Sequence, residues 1–193
     1  MEYFLPWEGK NYKSDKKRLM ILGESHYGYK GVKDWTGATK DVVRDYLNNI
    51  NKENNYWKRF FTSLTKICLN TRDKISSVDK NNFWNSIIYY NYITESLGKP
   101  GDRPTPKQFV DGVQAFEKVL NEYKPNYILV CGRQLWFGIP EEFGEKGPED
   151  YFWYFPIGNG KRAISSYIYH PSRNPSGYKG RDSREIYKKL SSY

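Results

Sequence analysis

The chain has 193 residues, and its length suits a single domain over residues 1–193 with a sizeable core. Only 38% of the residues are hydrophobic, but 18% are aromatic, so large rings are expected to fill much of that core. The apolar runs are too short to cross a bilayer, and Lys and Arg outnumber Asp and Glu by 31 to 22, which makes a polyanion such as nucleic acid the first partner to consider.

Short apolar runs alternate with helical patterns along the chain. The runs predict four strands, at Leu19–Gly23, 87–90, Tyr127–Cys131 and 163–169. Apolar spacing of three and four residues predicts helices at 39–50 and 55–69. Thr105 caps a third helix that starts at Pro106 and runs to Tyr123, and a fourth covers 182–190. An Asn159-Gly160 pair predicts a tight turn before the last strand.

This alternation predicts an α/β fold. We expect a three-layer α/β/α sandwich with a central, mainly four-stranded parallel sheet. Ligands of such sheets bind beyond the carboxyl ends of the strands. The loops that begin at Gly23, Asn91, Gly132 and His170 are therefore the expected site.

The only two histidines of the chain, His26 and His170, both follow predicted strands. They lie in the sequences Gly-Glu-Ser-His-Tyr-Gly at 23–28 and His-Pro-Ser-Arg-Asn-Pro-Ser-Gly at 170–177. A single histidine is more often structural, but two at one predicted sheet edge favour a functional role for at least one of them.

These two loops resemble the signature motifs of the uracil-DNA glycosylase superfamily. One branch of that superfamily has Gly-Gln-Asp-Pro-Tyr after the first strand, another has Gly-Glu-Ala-Pro-Gly, and His-Pro-Ser follows the last strand. Residues 23–27 match Gly, Glu and Tyr across those branches, and residues 170–172 match completely. Tyr90-Asn91 falls where the superfamily places a base-reading Asn, and the matches occur in order over residues 18 to 182.

The resemblance implies a catalytic role for His170 and Glu24. Cleavage of an N-glycosidic bond leaves an anionic base and an oxocarbenium-like sugar. His170 would stabilise the anionic base, and Glu24 would orient the attacking water. Ser25 stands where one branch has the water-activating Asp, and a Glu24 paired with a nearby Lys remains the alternative.

The resemblance also implies a base-binding set. The amide of Asn91 can read uracil in one orientation and cytosine in the other, while an Asn that only holds its own loop is the alternative. Tyr27 would lie against C5 of the base, and Trp35 would either stack on it or belong to the core. His26, where both branches have Pro, and Ser25 would add polar groups near the base.

The loop after His170 is expected to contact DNA. In the superfamily this loop wedges into the base stack and holds phosphates. Arg173, Asn174 or Tyr178 would fill the gap that the flipped base leaves. Ser172, Lys179 and Arg181 are candidates for phosphate contacts, and a solvated surface charge is the alternative for each cation.

The sequence therefore predicts a monofunctional DNA glycosylase that flips out and hydrolytically excises a pyrimidine. The loop around Tyr27 is rich in Tyr, Trp and Gly, which predicts a wide pocket for a modified or damaged base, with a modified cytosine of phage DNA or plain uracil as candidates. A non-catalytic relative that binds DNA or a protein is the alternative. A hydrolase that uses Ser25 and His26 is disfavoured, because adjacent residues rarely pair as nucleophile and base.

No cofactor or metal is expected, because two isolated Cys and two distant His do not match zinc or iron–sulfur spacing. Cys68 and Cys131 lie in apolar stretches and predict reduced, buried thiols, which is typical of a cytoplasmic protein. No secretory segment is expected from the first residues. DNA is the expected partner of a monomer, with no membrane association.

Overall fold

The computed structural model describes residues 4–28, 36–50, 56–173, 175–177 and 181–193. The strands in this part of the chain are β1 Trp7–Glu8, β2 Leu19–Gly23, β3 Ile88–Asn91, β4 Tyr127–Cys131, β5 Glu145–Lys146, β6 Phe152–Pro156 and β7 Arg162–Ile168. The α-helices are α1 Ala38–Leu47, α2 Trp57–Cys68, α3 Ser77–Asn85, α4 Pro106–Tyr123, α5 Arg133–Gly138 and α6 Ser183–Leu190.

The strands form one mixed sheet in the order β1-β3-β2-β4-β7-β6-β5. The β3, β2, β4 and β7 strands pair in parallel, whereas β1, β6 and β5 are added antiparallel at the two edges. The predicted α/β fold is confirmed. The expectation of four strands was too low, because all four predicted strands lie in the middle of a seven-stranded sheet.

The three additional strands give weak local signals. β1 and β5 have two residues each and exist through their antiparallel partners. β6 forms a hairpin with β7 around the predicted turn, where Gly158, Asn159 and Gly160 all have positive φ. A short edge strand depends on its neighbour for hydrogen bonds, so its own apolar pattern does not reveal it.

Alternating side chains divide the core into two clusters on opposite faces of the sheet. Met20 and Leu22 of β2 belong to the first cluster, with side chains from α4 and α5. Leu19 and Ile21 belong to the second, with side chains from α1, α2, α3 and α6. The middle strands are buried on both faces, which explains their continuous apolar runs.

Four of the six described α-helices follow the predicted patterns, with their ends shifted by up to three residues. Thr105 forms a capping box with Gln108 at the start of α4, as Thr-Pro at 105–106 predicts. Asp182 caps α6 through the N–H groups of Arg184 and Glu185. α3 and α5 were not predicted; α3 ends at Asn85, shortly before the predicted strand at 87–90.

Candidate active site

The carboxyl ends of the parallel strands bring the expected loops to one edge of the sheet. Gly23 at the end of β2 is in register with Asn91 at the end of β3. After β4, the N–H of Gly132 donates to the carbonyl of Ile168, 2.9 Å away, at the end of β7. The loops that start at these strand ends are therefore neighbours, although they are far apart in sequence.

The 23–28 loop runs beside the segment that follows β3. The N–H groups of Tyr92 and Ile93 donate to the carbonyls of Gly23 and Glu24, at 3.0 and 2.9 Å. Further along, the N–H of Leu97 donates to the carbonyl of His26 at 2.8 Å. These bonds hold the backbone of the first motif against the segment after Asn91.

His26 is buried within a chain of polar side chains. Its Nε2 lies 2.8 Å from Oγ1 of Thr39 and 3.1 Å from Nδ2 of Asn91. The hydroxyl of Tyr89 donates to Oδ1 of Asn91 at 2.9 Å. Burial lowers the pKa of His26 to about 4, so the ring is neutral near pH 7 and its Nε2 accepts from Asn91.

This network orients the amide of Asn91. Its oxygen faces Tyr89 and its nitrogen faces His26, and each atom retains one further hydrogen-bonding position. Gly23 leaves the space that the amide needs, because a Cβ there would lie 2.1 Å from Oδ1 of Asn91. His26 thus contacts the predicted base-reading residue from inside the protein.

Glu24 is half-buried at the end of β2. Burial raises the pKa of its carboxyl group, and the nearby guanidinium groups of Arg103 and Arg173 oppose that rise. Arg173 belongs to the predicted DNA-binding loop. Arg103 lies in the 98–105 loop, outside the motifs from which the site was predicted.

His170 lies close to the same two cations. Burial, together with the nearby charges of Arg173 and Arg103, lowers its pKa to about 4. Its Nδ1 lies 2.9 Å from Oγ of Ser172. The structure therefore brings Glu24 and His170 into one electrostatic environment, as expected from the order of the motifs, and keeps the imidazole neutral.

Phe60 of α2 connects the two halves of this edge. Its ring centre lies 5.4 Å from that of His170 and 6.1 Å from that of Tyr89. In the sequence, Phe60 is one apolar residue of the helix predicted at 55–69. Neither Phe60 nor Arg103 belongs to a recognisable motif, so only the tertiary structure shows that they lie near the site.

Ser25 and Tyr27 differ in their surroundings. Oγ of Ser25 is buried and has no hydrogen-bond partner within the described part of the chain. Such a hydroxyl is normally satisfied by water or a ligand. Tyr27 pairs through its backbone with Leu97 and leaves 38% of its surface exposed.

The predicted DNA-binding residues occupy two kinds of position. Arg173 is exposed in a turn, where its N–H donates to the carbonyl of His170. Arg181 is half-buried: its guanidinium lies over the rings of Tyr167 and Tyr151 and donates to the carbonyl of Tyr167 at 3.0 Å. The remaining residues of the predicted site, Trp35, Asn174, Tyr178 and Lys179, lie outside the described residues.

Two open grooves border this edge. A mainly polar one of about 590 Å³ is lined by side chains that include Arg103, Glu95 and Gln108. A mainly apolar one of about 810 Å³ lies between the start of α4 and α5. Arg103 lines the polar groove, and its charge also acts on the pKa values of Glu24 and His170.

Within the described ranges, no three His, Cys, Asp or Glu side chains are grouped so that they could hold a metal ion. None of the helices in those ranges is long and apolar enough to cross a membrane. No known family model matches the sequence, and a search of curated proteins found no match.

Proposed function

We propose that this protein is a monofunctional DNA glycosylase with the fold and strand-end chemistry of the uracil-DNA glycosylase superfamily. In this proposal the four parallel strands and the helices on their two faces form a three-layer α/β/α sandwich. The enzyme flips a pyrimidine out of DNA and hydrolyses its N-glycosidic bond without a metal or cofactor.

The neutral imidazole of His170 carries the proposal. A departing pyrimidine leaves as an anion, and a hydrogen-bond donor aimed at its carbonyl oxygen stabilises that charge. If the hydroxyl of Ser172 donates to Nδ1 of His170, the proton of the neutral ring is at Nε2, where it can be donated to the base. The low pKa of His170 keeps this neutral donor form present near neutral pH.

Glu24 would act on the sugar side of the bond. As a carboxylate it orients a water molecule and stabilises the positive charge that develops on the sugar. The buried hydroxyl of Ser25, the next residue, offers a hydrogen bond to that water or to the base. Ser25 thus supplies a polar contact in the position of the missing Asp, while Glu24 supplies the charge.

Arg103 and Arg173 would assist electrostatically. Both are close enough to lower the pKa of His170, so both are also close enough to stabilise an anion that forms next to it. Arg103 is exposed and lines the polar groove. That groove would give a polar substituent on the pyrimidine a place beside the site, which favours a modified base over plain uracil.

The test is an excision assay on matched DNA duplexes that carry uracil, 5-hydroxymethylcytosine or glucosylated 5-hydroxymethylcytosine. Alkali-dependent strand scission reports the abasic product. We expect release of a modified base, and a rate at least about 100-fold lower for His170→Ala, because one anion-stabilising contact is lost. A correctly folded wild-type protein that releases no base, or a His170→Ala variant with an unchanged single-turnover rate, would contradict the proposal.

A non-catalytic DNA- or protein-binding relative is the second candidate. It is favoured by the network around Asn91, in which both ends of the amide already bond to Tyr89 and His26. A protein that binds DNA with strong salt dependence but leaves all three bases intact would establish this second function.

A further inference from the structure

The mainly apolar groove between the start of α4 and α5 is lined by large hydrophobic side chains that are exposed. It has a volume of about 810 Å³, which is in the range of small-molecule sites. Two of its apolar side chains are largely exposed, Phe137 at 58% and Val110 at 60%. The described lining consists of Pro104, Pro106, Phe109, Val110, Arg133, Gln134, Phe137 and Gly138.

Phe137 is presented in a fixed position. Its ring contacts the buried ring of Tyr167, with centres 5.9 Å apart. The guanidinium of Arg133 lies 5.3 Å from the centre of the Phe137 ring. An exposed aromatic ring held next to a cation can bind a planar base and the phosphate attached to it.

The charge around the groove selects an anionic occupant. Arg133 is the cation among the described lining residues, and that lining contains no carboxylate. Arg103 directly precedes Pro104 in the chain, and the protein carries a net charge of +9. A nucleic acid strand combines flat apolar bases with negative phosphates and therefore matches both properties of the surface.

Two lining residues connect the groove to the proposed active site through their neighbours in the chain. Pro104 follows Arg103, whose charge acts on the pKa values of Glu24 and His170. Arg133 follows Gly132, whose N–H donates to the carbonyl of Ile168, two residues before His170. A strand that places one nucleotide at His170 therefore passes close to the groove with a neighbouring nucleotide.

We propose that this groove binds an unpaired nucleotide of the substrate strand, with its base stacked on Phe137 and its phosphate paired with Arg133. The inference rests on the proposed function, since it describes how the same DNA strand is held beside the flipped base. A base inside a duplex has both faces covered by its neighbours, so only an unpaired base can stack on Phe137. The protein accordingly prefers single-stranded or locally opened DNA.

The first experiment measures binding of fluorescein-labelled oligothymidylate, 12 nucleotides long, and of a duplex of equal length by fluorescence anisotropy. The wild-type protein binds the single strand more tightly. Phe137→Ala weakens single-strand binding about 5- to 150-fold, the equivalent of one lost stacking contact, and duplex binding much less. Val78→Ala, which shortens an exposed apolar side chain of α3 on the other face of the sheet, leaves both affinities unchanged.

Two further variants at the same position separate stacking from apolar contact. Phe137→Trp retains single-strand affinity because it keeps an aromatic face, whereas Phe137→Leu loses it although it keeps most of the apolar area.

Arg133→Ala lowers the slope of log affinity against log salt by about 0.7, as expected for one lost phosphate contact on a single strand. Phe137→Ala leaves that slope unchanged.

Wild-type affinity in Phe137→Ala, or equal affinity of Phe137→Leu and Phe137→Trp, overturns the assignment of the groove. Binding to oligothymidylate is measured without excision, so the two proposals fail separately. Phe137-dependent binding without release of any base refutes the glycosylase and retains the nucleotide groove. Excision with Phe137-independent binding refutes the groove alone.

Discussion

His26 and His170 are both neutral through burial, but their surroundings assign them different tasks. His26 is enclosed, with Nε2 accepting from Asn91 and the ring edge packed on Phe4. His170 lies at the rim beside two arginines and has Ser172 at one ring nitrogen. His26 therefore orients a neighbouring side chain, whereas the position of His170 fits its proposed contact with a substrate.

The pH dependence of excision should report Glu24 rather than His170. The carboxyl group must be ionised to act, and its pKa is raised from 4.5, whereas His170 stays neutral down to about pH 4. As the pH falls, Glu24 is protonated before His170 is. We expect the single-turnover rate to fall on the acid side with a midpoint above 4.5, and Glu24→Gln to be slower and to lack that decline.

Single-turnover rates between about pH 4 and pH 8 provide the measurement, with far-ultraviolet circular dichroism at each pH as a control for folding. A Glu24→Gln variant that keeps the wild-type profile would remove Glu24 from the mechanism. The activity of this variant also separates a catalytic carboxylate from a structural one, since Gln preserves the shape of the side chain.

At the scale of elements, α4 positions the loop that carries Arg103. The capping box of Thr105 fixes where the helix begins, three residues after Arg103. Within the helix, Gly112 packs on the buried ring of Tyr92, whose hydroxyl donates to the carbonyl of Phe109 at 2.8 Å. This close contact sets the distance of α4 from the segment that follows β3.

Gly112→Ala should destabilise the protein although alanine favours helices. A Cβ at this position would lie 2.6 Å from the ring of Tyr92 and 3.0 Å from its carbonyl oxygen, and the buried ring has no room to move. Overpacking of a buried site lowers the free energy of unfolding by about 1–3 kcal/mol, whereas the higher helix propensity of alanine raises it by about 1 kcal/mol. We expect the free energy of unfolding to fall by up to about 2 kcal/mol.

Urea denaturation measures this change, and Gln114→Ala on the exposed side of the same helix is the matched control, with an effect within about 0.5 kcal/mol. An increase in stability for Gly112→Ala would mean that α4 can move away from Tyr92, contrary to the close packing of Gly112 on that ring.

At the scale of the whole molecule, burial of both histidines couples folding to pH. Each imidazole has a pKa of about 4 in the folded protein and about 6.5 when unfolded. Between these values the unfolded chain binds more protons than the folded one, so stability falls as the pH falls. Glu24, whose folded pKa is raised, acts in the opposite sense and offsets part of this loss.

We expect the free energy of unfolding to decrease from about pH 7 to about pH 5, with a contribution on the order of 2 kcal/mol from His26. Urea denaturation across this range is the measurement. His26→Gln removes the titrating group and should show a shallower pH dependence, even if its stability at pH 7 is lower. A variant with the same pH dependence as the wild type would show that His26 does not cause the effect.

Local sequence determined the middle of the sheet and the best-capped helices. β2 and β4 lie where continuous apolar runs predict them, because strands covered on both faces need apolar side chains at every position. α4 begins where Thr-Pro at 105–106 predicts it, since capping depends on neighbouring residues only. The order of strands and helices likewise places 23–28, Asn91 and His170 at one edge.

Tertiary structure decided what each side chain contacts there. The charge of Arg103 acts on the pKa values of Glu24 and His170, and Phe60 packs on His170, across sequence separations that no local pattern encodes. The edge strands β1 and β5 exist only through pairing. The sequence also did not predict that His26 points inward to Asn91. The polarity of a residue and its position in a loop do not specify which neighbour becomes its hydrogen-bond partner. Local sequence therefore placed these residues at the same edge of the sheet, whereas long-range packing and hydrogen bonding determined which side chains they contact.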